Sequence, residues 1–159
     1  MIAMGLGCNP KLIIADEPTT ALDVTTQAQL LELMKNLTRN YGTALIIITH
    51  NLGVVARYAD RINVMYAGRI IEKGTAVDIF KNPRHPYTEG LMASVPRLDC
   101  DIKKKLVPIE GQPPDFLNMP KGCSFHPRCV YVFDRCRVET PELIPLFENH
   151  EAACWRNVK

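Results

Sequence analysis

The sequence has no apolar run approaching the ~20 residues that cross a bilayer as a helix. Its longest, Ala44 to Ile48, is strand-sized. This excludes a helical membrane span and implies a soluble chain whose membrane association goes through a partner. Met1-Ile2-Ala3-Met4-Gly5 lacks the basic flank of a secretory signal. Charge of one sign is scarce too. The formal net charge is +2 over 159 residues, and Lys103-Lys104-Lys105 is the only basic run. That excludes the basic stripe of a nucleic-acid binder and reads as a solvated loop. Among six cysteines there is no Cys-x-x-Cys pair. With no export signal, the thiols point to a reducing cytosol, where such clusters bind metal more often than they form disulfides.

What is present falls into two zones. Residues 1–95 alternate strand and helix patterns, and residues 96–159 are rich in proline, cysteine and aromatics. Nine of the twelve prolines lie from Pro86 onward, which implies irregular, turn-rich structure there. In the first zone, Met1 to Gly7 reads as a helix end stopped by Gly7 and Asn9-Pro10. Leu12 to Ala15 is a short apolar strand of the kind covered on both faces. Asp23 or Thr25 caps a helix to about Arg39, with Leu30, Leu33, Met34 and Leu37 at helical spacing. Ala44 to Thr49 is a second buried strand, and Leu52 to Tyr58 a helix. Arg61–Tyr66 and Arg69–Glu72 flank Ala67-Gly68 as a β-hairpin. Val77–Lys81 and Tyr87–Ser94 are short helices. Strand alternating with helix predicts an α/β fold with a parallel sheet.

The first strand ends in two adjacent carboxylates, Asp16 and Glu17, before Pro18. In open parallel sheets, ligands sit beyond the carboxyl ends of strands. A carboxylate there holds Mg²⁺ through water, and a second orients an attacking water. Capping of the next turn is the plainer reading of the same pair. The second strand ends in His50, which faces the same crevice if the strands are neighbours. A histidine there hydrogen-bonds a terminal phosphate. Three motifs then bear a specific resemblance. Leu12 to Pro18 resembles the Walker B motif of ABC-type ATPases, Thr19-Thr20-Ala21-Leu22-Asp23 their D-loop, and Thr49-His50 their switch histidine. The resemblance implies a partial P-loop NTPase sheet with ATP and Mg²⁺ as cofactors. It implies that Asp16 binds the Mg²⁺ water shell and Glu17 polarises the hydrolytic water. His50 would contact the γ-phosphate, and Asp23 would reach across a dimer toward the opposing nucleotide. No Gly-x-x-x-x-Gly-Lys-Ser/Thr occurs. The glutamine loop, signature motif and adenine-stacking aromatic are missing as well. Met1 therefore resembles an internal methionine, and the chain by itself is expected to bind ATP weakly and to aggregate through an exposed sheet edge.

His85-Pro86-Tyr87-Thr88-Glu89-Gly90-Leu91 and Ile109-Glu110-Gly111-Gln112-Pro113-Pro114 resemble the oligopeptide/dipeptide branch of that family. That branch carries a small C-terminal domain, here an irregular cysteine-containing domain over 96–159. Cys123, Cys129, Cys136 and Cys154 are separated by five, six and seventeen residues. Four thiolates suit a [4Fe–4S] cluster or tetrahedral Zn²⁺. Reduced thiols or a disulfide pair are the plainer reading. The resemblance favours the iron–sulfur cluster, with His126 and His150 as substitute ligands. Cys8 reads as a packing residue and Cys100 as a loop thiol. The implied function is energy coupling in an importer at the cytoplasmic face of the membrane. Its partners would be transmembrane permease subunits, a second ATP-binding subunit and, indirectly, a substrate-binding protein, with no nucleic acid. Nickel uptake, a non-transport ABC ATPase and a non-enzymatic metal-binding interaction module are the other readings.

Overall fold

The structure is a computed structural model that describes residues 7–94 and 108–158. Most of the expected helix end at Met1–Gly7, the Lys103–Lys105 run and Cys100 lie outside the described residues. The chain forms two compact units, Met1–Ala59 and Asp60–Lys159.

The first unit is a β-α-β arrangement with a second helix. β1 (Leu12–Asp16) pairs in parallel with β2 (Ala44–Ile48), Leu12 opposite Ala44 through Asp16 opposite Ile48. Between them runs α1 (Val24–Tyr41). Asp23, in extended backbone, is its N-cap and accepts from the Thr25 and Thr26 amides at 3.1 and 3.0 Å. The helix ends at Gly42, whose φ of +65° suits a residue without Cβ and lets its N–H cap the Thr38 and Arg39 carbonyls. The buried stripe of α1 is Leu31, Met34 and Thr38. This corrects the expected stripe, in which Leu33 is in fact exposed. Thr38 can be buried because its hydroxyl donates to the Met34 carbonyl at 2.9 Å. α2 (Leu52–Tyr58) has the predicted bounds. It is capped by Asn51, buries Val54 and donates from the Tyr58 hydroxyl to the Ala28 carbonyl at 3.2 Å.

The strands were expected to be covered on both faces, and they are not. Ile14 is 62% exposed, and Leu12, Ile46 and Ile48 share its exposed face. A single crossover helix covers one face of a two-stranded sheet, and among the described residues of this unit no element covers the other.

The second unit is built on an antiparallel sheet in the order β3-β4-β6-β5. β3 (Arg61–Tyr66) alternates strictly and buries Ile62, Val64 and Tyr66. Ala67 and Gly68, with φ of +48° and +76°, make the tight turn to β4 (Arg69–Thr75). Thr75 caps α3 (Ala76–Lys81), which seats Ile79 in the core. α4 (Pro86–Ala93) starts with proline at its first position, where no amide is needed. α5 (Asp134–Val138), β5 (Ile144–Phe147) and β6 (His150–Ala152) follow. Beyond residue 95 the described chain is largely irregular, as expected, and two short tail strands complete the hairpin's sheet. Glu72 lies opposite Ala152 and Lys73 opposite Glu151. The expected division at residue 95 is accordingly not where compactness divides the chain. The hairpin belongs by its hydrogen bonds to the tail.

Glu72 holds this unit together. Its side chain has 0% exposure, and that of its partner His150 has 1%. Oε1 accepts from His150 Nε2 at 2.7 Å and from the Arg84 amide at 2.6 Å, and Oε2 accepts from the His85 amide at 3.0 Å. One carboxylate thus joins β4, β6 and the entry to α4. His150, offered above as a substitute metal ligand, is committed to this pair. Removing one member of a buried pair leaves the other uncompensated, at a cost of about 3–5 kcal/mol. Glu72→Ala is expected to lower the stability of the second unit by that amount in urea unfolding. An unchanged midpoint would contradict the assignment.

Candidate functional site

The parallel register of β1 and β2 brings their carboxyl ends side by side. The Glu17 amide donates to the Ile48 carbonyl at 2.9 Å, extending the ladder by one bond. Glu17 then turns with φ of +43°, a left-handed conformation uncommon for a residue with a side chain. The turn directs its carboxylate to the end of β2. Oε1 accepts from the His50 Nδ1 at 2.6 Å and from the His50 amide at 3.1 Å, and Oε2 accepts from the Thr49 hydroxyl at 3.4 Å. These bonds, the His50 side chain first, hold the Glu17 carboxyl below its ordinary pKa. With Nδ1 engaged, the Nε2 edge of His50 is left to solvent, and its side chain is 88% exposed.

Asp16 ends β1 opposite Ile48 and is exposed. Asp23 lies apart from the pair, at the N-cap of α1. Its Oδ1 holds two amides and its Oδ2 accepts from the Thr26 hydroxyl at 2.6 Å. The Thr26 hydroxyl is the main cause that lowers its pKa. Thr19, buried beneath the loop between them, accepts from Gln27 Nε2 at 2.9 Å and pins that loop to α1. Sequence reasoning missed this bond because neither residue carries chemistry by type.

In the second unit Cys123, Cys129, Cys136 and Cys154 line one cavity together with His85 and Arg156. No disulfide joins the four. Gly122, with φ of +74°, admits the Cys123 amide to the Cys136 carbonyl at 2.9 Å, and an added Cβ would meet that carbonyl at 2.4 Å. Burial raises the thiol pKa of Cys123 and Cys129 and pushes Cys154 up to about 11. Unliganded thiols here stay protonated and are poor nucleophiles. The free space among them is about 20 Å³, room for a single water-sized sphere. Among the described residues no three His, Cys, Asp or Glu side chains are set at the spacing that would hold a metal ion. The four cysteines are therefore gathered but not preset around one ion. His126 also lines the cavity, its Nδ1 lying 3.0 Å from the Cys123 carbonyl. Cys8, expected as a packing residue, is exposed.

His85 went unassigned in the sequence. It is buried at 1% exposure and is the N-cap of α4, its Nδ1 accepting from the Tyr87 amide at 3.1 Å. Burial first, then the nearby Arg156 charge, lowers its pKa to about 4. Arg156 is held by Glu89 of α4. The His85-Pro86 pair was a usable signal, since proline at the first helical turn marks the residue before it as a cap.

In open α/β folds ligands sit beyond the carboxyl ends of parallel strands, and that is where Glu17 and His50 stand. Residues 71–136 match the family model "Oligopeptide/dipeptide transporter, C-terminal region". The chain is 53% identical over 155 residues to the oligopeptide transport ATP-binding protein OppD of Haemophilus influenzae, covering 98% of this chain and 47% of that protein. It is 51% identical over 155 residues to AppD of Bacillus subtilis, with the same coverages. It is also 51% identical to OppD of Salmonella typhimurium, over 100% of this chain and 47% of that one. Among solved structures, cbiO1 from Clostridium perfringens, described as part of the ABC transporter complex cbiONQ, is similar at a TM-score of 0.48 and 34% identity. It covers 51% of this chain and 32% of its own. Over nearly its whole length the chain is similar to the C-terminal portion of oligopeptide transport ATP-binding proteins, and residues 71–136 match the C-terminal-region model of that family. It spans about half the length of the curated relatives it matches. No helix among the described residues is long and apolar enough to cross a membrane.

The Glu17–His50 contact makes a titration prediction. A lowered folded-state pKa means that the pair contributes stability above the unfolded carboxyl value and loses it as pH falls through the folded one. Carboxyl-carbon NMR is expected to show Glu17 titrating below the ordinary glutamate range. His50→Ala should return it upward, and no response to that substitution would mean that the contact is not formed in solution.

Proposed function

We propose that this chain is part of the ATP-hydrolysing subunit of an ABC importer that energises uptake of oligopeptides or dipeptides. The observation that carries the reading is the Glu17–His50 contact at the adjoining ends of two parallel strands. In this reading Glu17, an anion at neutral pH, polarises the attacking water. His50, anchored to Glu17 through Nδ1, offers Nε2 to the γ-phosphate. Asp16 takes the water shell of Mg²⁺, and Asp23 faces the nucleotide of a second ATP-binding subunit. Hydrolysis is coupled to transmembrane permease subunits at the cytoplasmic face of the membrane, with a substrate-binding protein acting upstream. Residues 1–95 serve the nucleotide chemistry and 96–159 the importer-specific tail, with the hairpin shared between them.

In a subunit that carries these residues and binds ATP, Glu17→Gln is expected to lower the hydrolysis rate by about 10²-fold or more, with ATP binding retained. Hydrolysis that survives the substitution would remove Glu17 from the chemistry. The 159-residue chain assayed alone should show no more than residual turnover, since it contains no glycine-rich phosphate loop.

We further propose that Cys123, Cys129, Cys136 and Cys154 hold a [4Fe–4S] cluster, with Zn²⁺ the alternative. The donor set supports this, since four soft thiolates share one cavity. A four-iron cluster tolerates ligands too far apart to share one ion, because irons and sulfides separate the thiolates. When bound it would cross-link a tail that has few apolar contacts of its own. Anaerobically purified protein is expected to carry iron and sulfide in equal amount, with broad visible absorption near 400 nm, about as such clusters show. Colourless protein with stoichiometric zinc would select the alternative, and protein free of both would end the proposal.

A further inference from the structure

We infer that the groove beside the start of β4 binds a short peptide with free termini, its carboxylate on Arg69 and its ammonium on Glu142. The groove arises because β6 stops before β4 does. β6 pairs with β4 at Glu72 and Lys73, and the last bond beyond it runs from the Ala153 amide to the Ile71 carbonyl at 2.8 Å. The chain then leaves for the turn Trp155–Asn157, where the Trp155 indole donates to the Glu139 carbonyl at 3.0 Å. β4 itself reaches back past Ile71 to Arg69. Arg69 and Ile70 thus have β3 on one side, and among the described residues no backbone bond joins them to anything on the other. Between that strand end and residues 140–143 lies a groove of about 540 Å³, within the ~300–1,000 Å³ typical of small-ligand clefts.

The lining selects the ligand. Arg69 and Glu142 both line the groove and are exposed, and among the described residues neither side chain has an ion-pair or hydrogen-bond partner. Unpaired charges of opposite sign on one groove complement a dipolar ligand better than a simple anion or cation. The half-buried Ser124 hydroxyl is a third polar group there without a partner among the described residues. The floor is apolar, with Ile71, Phe125 and Ala153 all buried. The strand end narrows the class further. An unpaired strand edge offers amides and carbonyls to an extended backbone, the contact made in strand addition. A ligand with an amide backbone, an ammonium at one end and a carboxylate at the other is a peptide with free termini. An apolar side chain on it would rest on the floor. A segment tethered to a larger partner lacks one of the two terminal charges, so a short free peptide is the occupant that uses every feature.

The test titrates the 159-residue chain with the dipeptide Ala-Leu and reads the isoleucine methyl signals by NMR. The Ile70 and Ile71 methyls are expected to shift and saturate. Arg69→Gln and Glu142→Gln should each weaken binding roughly threefold to fivefold, the scale of an exposed ion pair. Blocked peptides assign the two ends. The C-terminal amide of Ala-Leu should bind wild type and Arg69→Gln equally, and N-acetyl-Ala-Leu should bind wild type and Glu142→Gln equally. Each blocked form should bind wild type more weakly than the free dipeptide. Should a variant fail to fold, the blocked peptides on wild type decide alone, and binding as tight as that of the free dipeptide overturns the inference. Absence of any methyl shift, or undiminished binding to both variants, overturns it too. A second copy of the chain in the groove would move the same signals with protein concentration and no peptide, which also overturns it. Glu17 and His50 take no part in this site, so failed peptide binding leaves the ATPase reading standing, and failure of that reading leaves the groove standing.

Discussion

A carboxylate withdrawn from water must be compensated where it stands, and in the second unit that requirement falls on Glu72. Its two oxygens gather the His150 ring and the amides of Arg84 and His85. Those partners come from two places, the entry to α4 and β6, the second far from Glu72 in sequence. The hairpin cannot adopt its register with β6 unless His150 is delivered, and α4 cannot begin where it does unless the Arg84–His85 amides are received. The cysteine cavity inherits its geometry from this. His85 is simultaneously a ligand of Glu72 through its amide, the cap of α4 through Nδ1 and a wall of the cavity.

The first unit follows a simpler rule. Two parallel strands in register end together, and whatever follows them is brought side by side. The left-handed turn at Glu17 is a local cost, as are those at Asn9 and Ala21, and three bonds to Thr49 and His50 hold it. Asp23 shows the opposite economy. As an N-cap with both oxygens engaged, it fixes where α1 begins, and hence how long the loop from Glu17 can be. Any role toward a second nucleotide would have to be shared with that duty.

The elements that were legible in the sequence are those whose cause is local. α2 owes its start to a local cause, the Asn51 cap, and the hairpin was readable because Ala67-Gly68 separates alternating strands. The strand-end grouping of Glu17 and His50 was readable because parallel register follows from the β-α-β order. Failures came where a distant partner decides. The bare face of β1 and β2 looks the same in sequence as a covered one. α1 turned its stripe toward Leu31 and Thr38 because a threonine can satisfy its own hydroxyl within the helix, which an apolar-only count does not credit. β5 and β6 are too short to show alternation, and Pro145 disguises the first as a loop. The Glu72–His150 pair spans most of the second unit, and no spacing rule connects them.

The cysteine cavity joins these two lessons. The thiols are brought together by backbone contacts such as Cys123 to Cys136, which exist before any metal arrives. Yet burial raises the thiol pKa of Cys123, Cys129 and Cys154, and the space between the four holds about one water-sized sphere. Under the cluster proposal, loading would have to release protons and swing the sulfurs outward. The backbone that would resist such movement is strongest at Gly122, where the chain is in contact with the Cys136 carbonyl. Cys154 follows β6 on a separate segment, where the Ala153 amide donates to the Ile71 carbonyl at 2.8 Å. A centre assembled here would close the gap between a local loop, Cys123 to Cys136, and the strand that Glu72 pins through His150. Metal binding and the buried Glu72–His150 hydrogen bond would thus stabilise the same connection from its two ends.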